Sequence, residues 1–159
     1  MRNKLKAGLT VSLAGAMIAL SGGIAQAETI SDGNGTSIVQ QATGTGNTWC
    51  QAEVYLSDTS APPLNIDPNG NYATGLFVNA SSGFSCAFWL QKATYDYATK
   101  TTGPYTPIGS WATNKTVLLS GQDSHFTGAY SDGAGWRVEA CFYMYNSTWQ
   151  GATHCSHGV

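Results

Sequence analysis

From Trp49 onward, apolar and polar residues alternate with a period of two, and Gly or Pro interrupts the chain too often for long helices. The clearest segment is Trp49 to Ser57. Cys50, Ala52, Val54 and Leu56 share one face, which belongs inside, and Gln51, Glu53, Tyr55 and Ser57 share the other. A loop follows, because Ala61-Pro62-Pro63 cannot occupy a central strand and Asp67-Pro68-Asn69-Gly70-Asn71 is turn chemistry. Strands are expected at Thr74 to Asn79 and Phe84 to Lys92, joined as a hairpin by Ala80-Ser81-Ser82-Gly83. In the second of these, Cys86, Phe88 and Leu90 face one way and Ala87, Trp89 and Gln91 the other. Ala87 to Lys100 lacks Gly and Pro, so a short helix competes there, but its β-branched and aromatic residues favour a continued strand. Short strands are expected near Asn114 to Leu119 and Ser124 to Tyr130, then a final pair at Trp136 to Tyr145 and Gly151 to Ser156.

Residues 28–48 are mostly Gly, Ser, Thr, Asn and Gln, with Ile30 and Ile38-Val39 as the apolar anchors. This reads as a flexible arm contributing one edge strand. Ahead of it lie a basic head (Arg2, Lys4, Lys6), an apolar run from Ala7 to Ile24 and the small-residue site Ala25-Gln26-Ala27, the three parts of a cleaved secretory leader. The expected organisation is a leader over 1–27, the arm over 28–48 and one domain over 49–159. The fold expected for that domain is all-β, a small antiparallel two-sheet sandwich of seven or eight strands. Asp132-Gly133-Ala134-Gly135-Trp136, ahead of a Cys-bearing strand, resembles the corner before an immunoglobulin F strand, which makes an immunoglobulin-like topology the analogy. Glu139, however, stands two residues before Cys141, where that corner carries its tyrosine.

Four cysteines in an exported chain read as two disulfides. Cys50 and Cys86 lie on the apolar faces of their strands, so a bridge between them can cross the core. Cys141 shares the polar face of its strand with Arg137, Glu139, Tyr143 and Tyr145, and a turn centred near Thr148 makes it the cross-strand neighbour of Cys155. The pairing expected is Cys50 with Cys86 and Cys141 with Cys155. Zinc would call for closely spaced Cys-x-x-Cys pairs, which are absent.

Loss of the leader removes three of the seven basic residues and none of the nine acidic ones, leaving a net charge of −5. Lys92, Lys100, Lys115 and Arg137 are scattered, which argues against nucleic acid and against a polybasic membrane contact as partners.

Catalytic patterns are weak. Asp123-Ser124-His125 has the residue types of a hydrolase triad, but consecutive strand residues point apart and no Gly-x-Ser-x-Gly elbow is present. His154-Cys155-Ser156-His157 offers two histidines once Cys155 is bridged, too few for a metal site. Asp67 to Asn71 lacks the later bidentate Glu of a calcium loop. Glu53 and Glu139 are expected on outward, solvated strand faces, unsuited to paired-carboxylate glycoside hydrolysis. Sequons stand at Asn34, Asn79, Asn114 and Asn146, but the short basic leader looks bacterial, which would leave them unmodified. No enzyme, metal or cofactor is expected.

The remaining signal is aromatic: thirteen residues are Tyr or Trp, rings that suit surfaces wet on one side. Trp89, Trp111 and Trp136 are natural core filler. On the last long strand Trp136, Val138, Ala140, Phe142 and Met144 form the core side, which puts Tyr143 and Tyr145 outside, with Trp149 in the following turn. These three rings are the expected binding platform of a secreted, non-enzymatic domain for an extracellular glycan or protein. A secreted hydrolase inhibitor and a structural component of a cell or spore surface are the alternatives.

Overall fold

The computed structural model describes residues 28–31, 36–42, 49–59, 67, 69–108, 115–121, 123–131 and 135–159. The expected leader, Trp111 and the sequons at Asn34 and Asn114 lie outside these residues. The described regular structure is entirely β and forms two antiparallel sheets. In the first, β1 (Glu28–Ser31), β2 (Thr36–Ala42), β3 (Trp49–Ser57) and β4 (Tyr72–Asn79) are successive neighbours, and β9 (Asp123–Phe126) and β10 (Tyr130–Ser131) both pair with the far side of β4. The second is built on β5 (Ser85–Asp96) and β11 (Trp136–Tyr145). β12 (His154–Cys155) flanks β11, and β6 (Thr101–Thr102), β7 (Thr106–Pro107) and β8 (Thr116–Leu118) pair in turn along the other side of β5. The expected helix alternative over 87–100 is not taken, since β5 runs on to Asp96.

The sheets face each other across Val39, Ala52, Val54, Leu56 and Phe77 on one side and Phe88, Leu90, Val138, Phe142 and Met144 on the other. Phe77 stacks on Phe88 with centroids 5.0 Å apart, and Phe88 meets Phe142 at 5.7 Å. Each such side chain contributes about 1.5–3 kcal/mol through burial. Gly75 faces the same layer; a Cβ there would come within 3.1 Å of Leu90 and of the Phe77 ring, so glycine makes room for that stack.

The disulfides are Cys50–Cys86, joining β3 of one sheet to β5 of the other, and Cys141–Cys155, joining directly opposed residues of β11 and β12. The immunoglobulin analogy does not extend to the inter-sheet bridge, because Cys141, on the strand compared with strand F, pairs with Cys155 and the bridge between sheets is made by Cys86 instead. The sequential meander of β1 to β4 differs from the interleaved strand order of that fold.

Two expectations need correction. The expectation of one edge strand from residues 28–48 gives way to two: the described residues 28–31 and 36–42 form β1 and β2, and β2 lies between β1 and β3. Its inward positions are Ser37, Val39 and Gln41, all buried, so polar residues on the core side hid the alternation. Ala80 to Gly83 is not a hairpin either, because β4 and β5 belong to different sheets and the segment crosses between them. The fully buried Asn79 side chain substitutes for the missing strand partner. Its Nδ2 donates to the carbonyls of Leu118 and Leu119, both at 2.8 Å, and of Phe84 at 3.2 Å. Its Oδ1 accepts from the Ser81 backbone at 2.9 Å and the Ser81 hydroxyl at 2.6 Å. An amide so buried and hydrogen-bonded leaves no room for a glycan at the Asn79 sequon in this fold.

Candidate functional site

Strand β11 separates most of its residues as the alternation requires: Val138, Ala140, Phe142 and Met144 are fully buried on the core side and Tyr143 and Tyr145 lie half-buried on the outer face, whereas Trp136, expected as core filler, is exposed at the start of the strand. The rings of Tyr143 and Tyr145 are 5.7 Å apart, tilted by 52°. Beneath this end of the strand, the Cys141–Cys155 bridge fixes β12 to β11, and Trp89, directly opposite Cys141 on β5, packs its ring 6.1 Å from that of Tyr143. Trp89 is only 5% exposed although it lies on the outer face, with its indole N–H on Gln91 at 3.1 Å.

The third side of the surface comes from β8, which the sequence alone gave no reason to place here. The register sets Tyr143 beside Ala87 and Ala87 beside Val117. Ala87 is fully buried, so its small side chain lets the flanking groups close over the strand. Lys115, on the same face as Val117, reaches across β5: its ammonium hydrogen-bonds the Tyr143 hydroxyl and lies 4.5 Å from the ring centroid. Val117 is 45% exposed and Leu119, next in the series, 68%. The result is a patch of two phenol rings, two aliphatic side chains and one cation.

Trp149 is not part of it. Asn146 Oδ1 accepts from the backbone of Thr148 and Trp149, both at 2.9 Å, and this turn sends the Trp149 ring onto Phe84, edge to face at 5.7 Å, and against Gly151. Gly151 donates to the carbonyl of the inward-facing Met144, and Trp149, though 45% exposed, is turned to Phe84 rather than to the Tyr143–Tyr145 pair. Trp149→Ala is therefore expected to remove the ring on Phe84 and lower stability by about 1–2 kcal/mol, read from urea melts.

The two glutamates also differ from expectation. Both sit on outward faces but are buried, Glu53 at 7% exposed and Glu139 at 9%. Glu53 is flanked by Ile38 and Leu76, with Gln51 Nε2 at 3.3 Å, whereas Glu139 accepts from Gln91 Nε2 and from Tyr105. They occupy the outer faces of different sheets, so no carboxylate pair forms. Burial pushes the Glu139 carboxyl above its ordinary value, against the opposing pull of Gln91, Tyr105 and the nearby His157 charge. Tyr105 is raised as well, by burial and by the Glu139 charge. The folded state thus holds the Glu139 proton more tightly than the unfolded chain does, and stability is lost as pH rises through that window. Glu139→Gln is expected to remove this loss: as pH rises from about 4, the ordinary glutamate value, the melting temperature of the wild type should fall relative to that of the variant.

The remaining candidates assemble no chemistry. Asp123, Ser124, His125 and Phe126 are all exposed on β9, with Ser124 and His125 pointing to opposite sides. His154 lies half-buried against the Phe142 ring, and burial holds it toward its neutral form. Glu139, Cys141 and Cys155 place ligand atoms within 4.8 Å of one another, but bridged sulfurs offer a metal no thiolate. Asp67 accepts from Asn69 and Gly70 in a closed turn, and a Cβ on Gly70 would collide with the Ser57 backbone at 2.3 Å. Trp136, 37% exposed, lies under the Lys92 ammonium at 4.3 Å at the opposite end of the sheet. Among the described residues, no helix is long and apolar enough to cross a membrane. Comparison with protein-family models, with curated proteins and with solved structures finds no match.

Proposed function

We propose that this protein is a secreted, non-enzymatic binding domain that holds an extracellular ligand, a surface glycan, on the outer face formed by Tyr143, Tyr145, Val117 and Lys115. The carrying observation is the pair of adjacent, half-buried tyrosines on a disulfide-stiffened strand, extended by the exposed Val117 and Leu119. Exposed apolar groups that converge on one rigid face serve binding, and phenol rings combine an apolar face with a wet hydroxyl. Rigidity matters because a platform ordered before binding loses little entropy on meeting its ligand. Secretion is supported by the leader pattern of residues 1–27 and by two disulfides, which persist in oxidising compartments.

The test is retention of the secreted protein on insoluble polysaccharides, with elution by soluble sugar. Tyr143→Ala combined with Tyr145→Ala is expected to weaken retention by about tenfold or more, the loss of about 1.4 kcal/mol or more of binding energy. Trp149→Ala should leave retention unchanged despite its lower stability. Unchanged retention in the double tyrosine variant would refute this site. A stoichiometric complex with a secreted protein, and no polysaccharide retention, would replace the glycan with a protein ligand on the same domain.

A further inference from the structure

Resting on the glycan reading above, we infer that the ligand is an extended, linear polysaccharide bound along β5 and β11 and held at two separated points, the Tyr143–Tyr145 pair at one end and a cluster of Tyr97, Tyr95 and Arg137 at the other. Both points belong to one face. Ala87, Trp89, Gln91, Ala93 and Tyr95 alternate with the core residues of β5, and Arg137, Glu139, Tyr143 and Tyr145 alternate with those of β11. The register sets Ala87 opposite Tyr143, so Tyr95 stands eight residues further along β5, about 27 Å at ~3.4 Å per residue. Only a chain of several sugar units can touch both.

The second cluster is built like the first, from rings held in place before any ligand arrives. The Arg137 guanidinium lies 4.0 Å from the Tyr95 ring centroid, and Tyr97 meets the same ring edge to face at 4.8 Å. Tyr97 is 67% exposed. It stands in the turn between β5 and β6, which closes without its side chain: Asp96 Oδ1 accepts from the backbone of Ala98 at 2.8 Å and of Thr99 at 3.3 Å, and Tyr95 and Asp96 pair with Thr102 and Thr101. The turn orders this ring but does not depend on it, and a large exposed ring so fixed suits a ligand. Between the clusters the face is polar, with Glu139 accepting from Gln91 and Tyr105 and His157 exposed beside them. Rings at both ends with polar groups between them match a chain that presents C–H faces and hydroxyls along its length. Two weak contacts on one chain also reinforce each other, because the first makes the second intramolecular. A single terminal sugar would use the Tyr143–Tyr145 pair alone and leave Tyr97 without a role.

The test is affinity electrophoresis of the oxidised protein in gels containing hydroxyethylcellulose, xylan or glycol chitin, followed by titration with the disaccharide and the hexasaccharide of the polymer that retards it. The hexasaccharide is expected to bind about a hundredfold or more tighter than the disaccharide. Tyr97→Ala should weaken the hexasaccharide by about tenfold while the disaccharide affinity and the melting temperature stay as they are, and Tyr97→Phe should keep the wild-type affinity. Equal affinity for the two lengths, or a hexasaccharide affinity unchanged in Tyr97→Ala, would refute the second contact point and leave the Tyr143–Tyr145 site standing. A melting temperature that falls together with the affinity would show that Tyr97 supports its hairpin, and would refute the contact as well. Loss of binding in Tyr97→Ala with none in the Tyr143→Ala, Tyr145→Ala variant would overturn the platform and the two-point chain together. Retardation by none of the three polymers would overturn both readings.

Discussion

Asn79→Ala is expected to lower the stability of the folded domain by about 3–4 kcal/mol, among the largest effects of any single side chain here. The asparagine amide is fully buried, its two N–H groups shared among three carbonyl acceptors and its oxygen accepting two hydrogen bonds. Alanine would leave the Leu118 carbonyl and the Ser81 backbone without that partner in a buried place, and the Leu119 carbonyl without it nearer the surface. Each buried polar group so stranded costs about 1–3 kcal/mol, and the Ser81 hydroxyl, which also bonds the Phe84 carbonyl at 2.7 Å, recovers only part of this. Asn79→Asp should be worse than alanine: it keeps the acceptor for Ser81 but loses both N–H donors and adds a buried charge facing carbonyl oxygens. Urea melts at neutral pH rank the three proteins. A loss below about 1 kcal/mol for alanine would mean that the crossing is held by its own backbone.

The strands whose inward positions are uniformly apolar were legible from sequence. β3 and β11 begin and end where the alternation does, and the same alternation separated the cysteines into one inward pair and one outward pair. Legibility failed where polar residues take the core side or apolar neighbours cover the outer one. Ser37 and Gln41 conceal β2, and the burial of Glu53 and Glu139 depends on cross-strand neighbours that periodicity does not identify. The Ala80 to Gly83 segment has turn residues suited equally to a hairpin and to a crossing; the Asn79 bonds to Leu118 and Leu119, some forty residues away, accompany the crossing. Half of the platform was legible for the same reason that β11 was. Lys115, Val117 and Leu119 were not, because their contribution depends on the register of β8 against β5.

That register connects stability with the site. Cys86 is opposite Leu118 on one side and Met144 on the other, and Asn79 holds the Leu118 and Leu119 carbonyls from the facing sheet. The cluster that closes this end of the core therefore also fixes the strand that carries Val117 and the cation beside Tyr143. Damage at the sheet crossing should be felt at the platform, even though Asn79 and the Cys50–Cys86 bridge lie beneath it rather than on it.

Removal of that bridge, as Cys50→Ala with Cys86→Ala, is expected to cost about 4 kcal/mol or more. The cysteines are 36 residues apart, and closing a loop of that size in the unfolded chain corresponds to about 4 kcal/mol in the chain-entropy estimate. Both residues are fully buried, so alanine also gives up sulfur contacts in the core, and a cavity adds to the loss. The Cys141–Cys155 bridge makes an informative contrast. Its separation of 14 gives about 3 kcal/mol, and its strand β11 stays paired to β5 along its whole length. Cys50 and Cys86 instead join strands of separate sheets, with no backbone ladder between them. Loss of the first bridge should weaken the packing of sheet on sheet; loss of the second should loosen mainly the C-terminal hairpin. Against a total of about 5–15 kcal/mol for a domain, the first variant approaches the limit of folding and the second does not. Because Cys50 is the cross-strand partner of Asn79, the first effect should not add to that of Asn79→Ala. A double-mutant cycle over Asn79 and the Cys50–Cys86 pair is expected to give a coupling of about 0.5–3 kcal/mol. Additive losses would mean that the bridge and the asparagine stabilise the crossing independently.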